Sequence, residues 1–151
     1  MMHFSRALGA QRTTGHPLQV TGHSLGGALA SLAASLILKF NIATPQQVKL
    51  VTFGQPRTGD EEFSNVQDQM CLYCFRVTHW NDMVPHIPNI GYRHHKTEVF
   101  YQKGMNPNTY KVCSENEDKA CSDGIKVKAS ITNHINYFGQ HVSSYGRQGC
   151  V

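Results

Sequence analysis

The chain has 151 residues, enough for one domain with a single core. Hydrophobic residues make up 40% and charged residues 16%, a globular rather than a disordered composition. The formal charge of +4 comes with no long basic run and no aromatic–basic interleaving, which argues against nucleic acid. No segment reaches the roughly 18 apolar residues of a membrane span, so stable membrane insertion is not expected.

Residues 1–16 are weakly patterned and read as the end of a helix and a loop. Met1 to Arg6 has no apolar core segment, so no signal peptide is expected there. Pro17 opens a short strand, Leu18 to Val20. Gly22-His23-Ser24-Leu25-Gly26-Gly27 follows and reads G-x-S-x-G. A strand before it and an apolar helical run after it give the context of a nucleophile elbow. There a serine sits on a sharp turn with its hydroxyl above the sheet edge. The residues two before and two after it, Gly22 and Gly26, are expected to lie too close to the turn for a Cβ, and Gly27 to let the helix pack tightly.

In the helix, Ala28, Leu29, Leu32, Ala33, Leu36, Ile37 and Phe40 form the expected apolar stripe, with Ala30, Ser31 and Ala34 filling the other sides. Asn41 to Gln47, with Pro45, ends it. Val48 to Phe53 reads as a buried strand closed by Gly54-Gln55-Pro56. A short helix is expected near Asp60 to Gln69. Cys74 to Trp80 is the next strand. Asn81 to Pro88 is a loop, because Pro85 and Pro88 suit neither a helix interior nor a central ladder. Thr97 to Tyr101 and Tyr110 to Cys113 are extended, and Ser114 to Gly124 is polar and loop-like. Strands alternating with helices predict an α/β domain with a mostly parallel sheet, whose ligands bind beyond the carboxyl ends of the strands.

A serine hydroxyl is a weak nucleophile until a histidine takes its proton and an acid orients that histidine. Asp82 is the best-placed acid, in a proline-stiffened loop just past a strand. Asp60, Glu61 and Glu62 are the rivals, at a probable helix start where carboxylates serve the dipole. Asp68 reads as a solvated helix face. Spacing alone does not choose among the nine histidines. His23 is too near the elbow to reach Ser24. His94 and His95 read as sheet-edge or metal-like residues, but no partner stands at zinc-ligand spacing, and no metal is expected. His134 and His141 both follow Asp82, and His134 leads into the apolar Ile135, Tyr137 and Phe138.

Four segments together resemble the class 3, or fungal-lipase-like, triacylglycerol lipases. They are Val20 to Ala28, Phe53 to Asp60, Asn81 to Pro88 and His134 to Gly139. The resemblance implies an α/β-hydrolase fold, present in part, and a serine hydrolase acting on lipid esters at a lipid–water interface. No cofactor is implied. Carried over position by position, the nucleophile falls on Ser24, the acid on Asp82, the base on His134, and one oxyanion-hole donor on the N–H of Leu25. Cys113 and Cys121 match a short disulfide loop of such lipases. Cys150 resembles a terminal half-cystine, whereas the pairing of Cys71 and Cys74 stays open, with a redox or metal role lacking support. The five cysteines favour an oxidising compartment, so the parent protein is expected to be extracellular. Residues 1–151 are expected to form a single domain that lacks the family's N-terminal strands, its lid and the second oxyanion donor. The alternative function is a lipase-like chain without catalysis that binds lipid or a partner.

Overall fold

The structure is a computed structural model and describes residues 16–149. The expected helix end within residues 1–15 and Cys150 lie outside the described residues. The elements run β1 (Leu18–His23), α1 (Leu25–Lys39), β2 (Val48–Phe53), α2 (Glu61–Met70), β3 (Cys74–His79), β4 (Glu98–Tyr101), β5 (Tyr110–Cys113), α3 (Ile131–Ile135), β6 (Asn136–Tyr137), β7 (Gln140–His141) and α4 (Val142–Arg147). Strands β1 to β5 form one sheet in sequence order, with β1 at one edge. The pairs from β1 to β4 are parallel, and β5 runs antiparallel to β4. This is the mostly parallel α/β sheet expected from the alternation of strands and helices. Strand β1 runs three residues further than the apolar run Leu18–Val20, straight into the elbow, in register with β2 to His23↔Phe53.

The two faces of β2 explain the two main cores. Val48 and Leu50 point one way, into a cluster with Ala30, Ala34, Leu38, Cys71 and Cys74. Val51 and Phe53 point the other way, packing with Val77, Tyr101 and Tyr137. The period of two along a strand produces this division. Helix α2 starts at Asp60, whose carboxylate accepts from the Phe63 N–H at 2.9 Å, and Glu61 and Glu62 fill its first turn. These three carboxylates therefore serve the helix end. Asp68 differs from its expected solvated role: it accepts from the Lys96 N–H at 2.7 Å and the Asn116 amide at 2.8 Å.

Helix α1 packs on the sheet, as its nearly all-round apolar sequence suggests, but it does so mainly through small residues. Its buried positions are Gly27, Ala28, Ala30, Ser31, Ala34, Ser35 and Leu38, small residues apart from the last. Leu25, Leu29, Leu32, Leu36 and Phe40 point away from the sheet and are exposed among the described residues. Small side chains let the helix axis approach the sheet closely, so the bulky residues are left on the outer side. Cys113 and Cys121 are bridged, as the resemblance implied, and Cys71 and Cys74 form a second disulfide.

The glycines of the elbow are unequal. A Cβ on Gly22 would lie 2.1 Å from the carbonyl oxygen of Gly26, and one on Gly27 would lie 3.1 Å from the Gln55 Cβ. Among the described residues, a Cβ on Gly26 would meet nothing within 4 Å, so the expected crowding is absent there. Overpacking typically costs about 1–3 kcal/mol, whereas alanine in a helix is up to about 1 kcal/mol better than glycine. Gly22→Ala should destabilise by at least that overpacking cost, and Gly26→Ala should be neutral or stabilising. Urea denaturation of the two variants checks this contrast.

The loop after β3 carries His86, whose ring nitrogens are buried. Both ring nitrogens of His86 lack a hydrogen-bond partner among the described residues. Burial, with Lys128 and Arg57 nearby, pushes His86 down to about 4. Burial, reinforced by Arg76, pushes His95 down to about 3. Unfolded histidines take up protons near pH 6.5, while these folded ones do not, so protons favour the unfolded chain. Stability should fall as pH drops from 6.5 through the folded values, and His86→Leu should flatten the part of that slope above pH 4. Thermal melts between pH 7 and 4 provide the measurement.

Candidate active site

The site grows from the turn between β1 and α1. Ser24 has φ 58° and ψ −130°, a conformation that non-glycine residues rarely hold. Serine at a helix N-cap ordinarily accepts from the first turn, but Ser24 makes no such side-chain bond. Its backbone N–H is held by the Phe53 carbonyl at 2.9 Å, and its Oγ lies 2.8 Å from His134 Nε2. Next to it, Leu25 opens α1, so its N–H has no carbonyl one turn back to bond. The helix start thus offers a donor beside the hydroxyl, where negative charge is favoured.

The other two residues arrive from separate places. Asp82 follows β3 and is 1% exposed, while His134 lies in the single turn of α3 and is 5% exposed. The His134 Nδ1–H donates to Asp82 Oδ2 at 3.0 Å. A carboxylate only accepts, so this bond places the imidazole proton on Nδ1 and leaves Nε2 free to accept from the Ser24 O–H. Two further donors satisfy Asp82: the Tyr137 hydroxyl reaches Oδ2 at 2.9 Å, and the Val84 N–H reaches Oδ1 at 2.9 Å. Burial and the adjacent Asp82 carboxylate hold the Tyr137 phenol well above its ordinary value, so it stays a donor.

Three of the predicted residues, Ser24, Asp82 and His134, therefore converge, although 52 and 110 positions separate His134 from its partners. Other described histidines fall in different surroundings. His141 is exposed. His94 and His95 are buried in the polar layer rather than at a sheet edge, with His94 Nε2 donating to the Pro85 carbonyl at 2.6 Å. His23 turns away from Ser24 and donates to the His134 carbonyl at 2.7 Å. Among the described residues, no group of three or more His, Cys, Asp or Glu side chains is placed to hold a metal ion. No helix of the described residues is long and apolar enough to cross a membrane.

Two residues of this geometry went unnoticed in the sequence as members of the site. Tyr137 was visible only as an aromatic neighbour of His134. Gly54 looked like a plain strand end, yet it has φ 55°, and a Cβ there would lie 2.9–3.0 Å from Tyr137 Oη, Asp82 Oδ2 and His134 Nδ1. The Gly-x-Pro run at 54–56 was its available signal.

The layered sheet, the elbow at its edge and the three residues beyond its strand ends define an α/β-hydrolase. The chain belongs to the class 3 lipase family: the family pattern Lipase (class 3) matches residues 3–92. A lipase of Caenorhabditis elegans is 38% identical over 178 residues, covering 95% of this chain and 50% of the relative. The secreted mono- and diacylglycerol lipase 1 of Fusarium solani is 38% identical over 126 residues, covering 79% of this chain and 36% of the relative. Among solved structures, the lipase of Rhizopus microsporus var. chinensis superposes with a TM-score of 0.78 at 34% identity, covering 86% of this chain and 46% of that one. The chain spans half or less of the length of these relatives.

Gly54→Ala should force Tyr137, Asp82 and His134 apart, because neither the positive φ nor the three polar atoms leave room. Tyr137→Phe should remove one hydrogen bond to a charged group, a loss of about 1.5–3 kcal/mol. Urea denaturation measures both, with Gly54→Ala expected to be the more damaging.

Proposed function

We propose that this chain is a carboxylic-ester hydrolase for lipid esters, with Ser24, His134 and Asp82 as its catalytic triad. The observation that carries this reading is the bonded series from Ser24 Oγ to His134 Nε2 at 2.8 Å and from His134 Nδ1 to Asp82 Oδ2 at 3.0 Å. His134 takes the Ser24 proton as Oγ attacks the ester carbonyl. Asp82 holds the ring in the required tautomer and stabilises the imidazolium that forms. The Leu25 N–H donates to the developing oxyanion. His134 then gives its proton to the departing alcohol, leaving Ser24 acylated. Water, activated in turn by His134, attacks the acyl group and restores the serine.

One domain, residues 1–151, carries this chemistry. The substrates are glycerides or related esters met at a lipid–water interface, in keeping with the mono- and diacylglycerol lipase of Fusarium solani. The two disulfides and the secreted character of that relative support an extracellular setting.

A fluorophosphonate probe tests the reading without requiring the right substrate. The wild-type chain should label, Ser24→Ala should not, and hydrolysis of a soluble ester should drop by at least about 10³-fold in that variant. Soluble, folded wild-type chain that takes no label would overturn the hydrolase reading and favour a lipid- or partner-binding role.

A further inference from the structure

His134 is carried by α3, a five-residue helix. A single helical turn has little stability of its own. Its backbone is gripped from outside by two imidazoles. His23 Nε2–H donates to the carbonyl of His134 itself at 2.7 Å. His79 Nδ1–H lies between the carbonyls of Asn133, at 3.0 Å, and Asn136, at 2.8 Å. Carbonyls only accept, so each ring must keep its proton on the nitrogen that faces the turn.

The origins of the two rings give this grip its meaning. His23 is the last residue of β1 and precedes Ser24, while His79 is the last residue of β3 and stands three positions before Asp82. Each arm therefore ties the His134 turn to the strand end that carries one of its two partners. We propose that His23 and His79 are positioning residues that together set the distance of His134 from Ser24 and from Asp82. The proposal rests on the triad reading for its catalytic meaning. The His23 ring also stacks on the His134 ring, with centroids 4.6 Å apart. Burial lowers His23 below its ordinary value, so the stacked neighbour stays neutral and does not oppose charge on His134.

Matched amides separate positioning from bulk. The Nε2 of glutamine occupies the place of histidine Nε2, and the Nδ2 of asparagine that of histidine Nδ1. His23→Gln and His79→Asn therefore keep the relevant donor, whereas His23→Asn and His79→Gln misplace it. All four variants are made in the full chain. Fluorophosphonate labelling rates and the kcat and KM for a soluble ester are measured, together with the His134 imidazole signals in nitrogen-15 NMR.

The mismatched variants should lose about 10²-fold in labelling rate and kcat with KM little changed, and the matched ones should stay within about tenfold of wild type. The His134 Nδ1–H signal should weaken or shift only in the mismatched pair. Equal losses in matched and mismatched variants, or no loss in either, would overturn the proposal. If the wild-type chain takes no label, the hydrolase reading fails by itself. The NMR comparison then decides the positioning role, and an unchanged His134 signal in the mismatched variants refutes it.

Discussion

A carboxylate taken out of water must be answered by donors, and Asp82 is almost fully buried. Its three donors come from its own loop at Val84, from the helical turn at His134 and from the strand residue Tyr137. Satisfying it therefore brings the segment from His134 to Tyr137 back to the loop that follows β3. Gly54 makes that approach possible, because any side chain there would occupy the point where Tyr137, His134 and Asp82 meet. The same convergence that solves the burial problem holds the imidazole in one tautomer and turns its free nitrogen to Ser24. Stability of the C-terminal segment and geometry of the site are thus one constraint.

The elbow is the second half of that constraint. Ser24 keeps a strained backbone because its neighbours leave it no alternative: β1 pairs with β2 up to His23, and α1 begins at Leu25. The strain turns the hydroxyl away from the usual capping position and towards His134. The close approach of α1 to the sheet comes from glycine, alanine and serine on its inner face. The outward ridge of Leu25, Leu29, Leu32, Leu36 and Phe40 is the geometric counterpart of that approach.

Much of the site was legible in the sequence because the elbow requirements are local. A strand, a Gly-x-Ser-x-Gly turn and an apolar helix are all written within about two dozen positions, and Asp82 follows a recognisable strand and proline pair. His134 was not separable from His141 by spacing. Only its resemblance to the class 3 lipases singled it out, because nothing local distinguishes a base from a packed histidine. Gly26 shows the reverse error: the motif suggested crowding, but its Cβ position is open. Which face of α1 meets the sheet was not legible, because the helix is apolar nearly all round. Size of side chain, rather than hydrophobicity, decided which side met the sheet.

The sequence by itself determined the order of elements from β1 to β5, the elbow and the helix-start role of Asp60, Glu61 and Glu62, since each depends on neighbours within a few residues; the short elements after β5 left no such local signal. The resemblance pointed to His134, but only the tertiary structure brings that ring to Ser24, decides which glycine must stay bare and supplies what holds the His134 turn. Those outcomes depend on groups 50 or more positions apart whose meeting is set by sheet register and by the need to satisfy a buried charge. No local pattern encodes such distances, because the contacts exist only once the strands have paired.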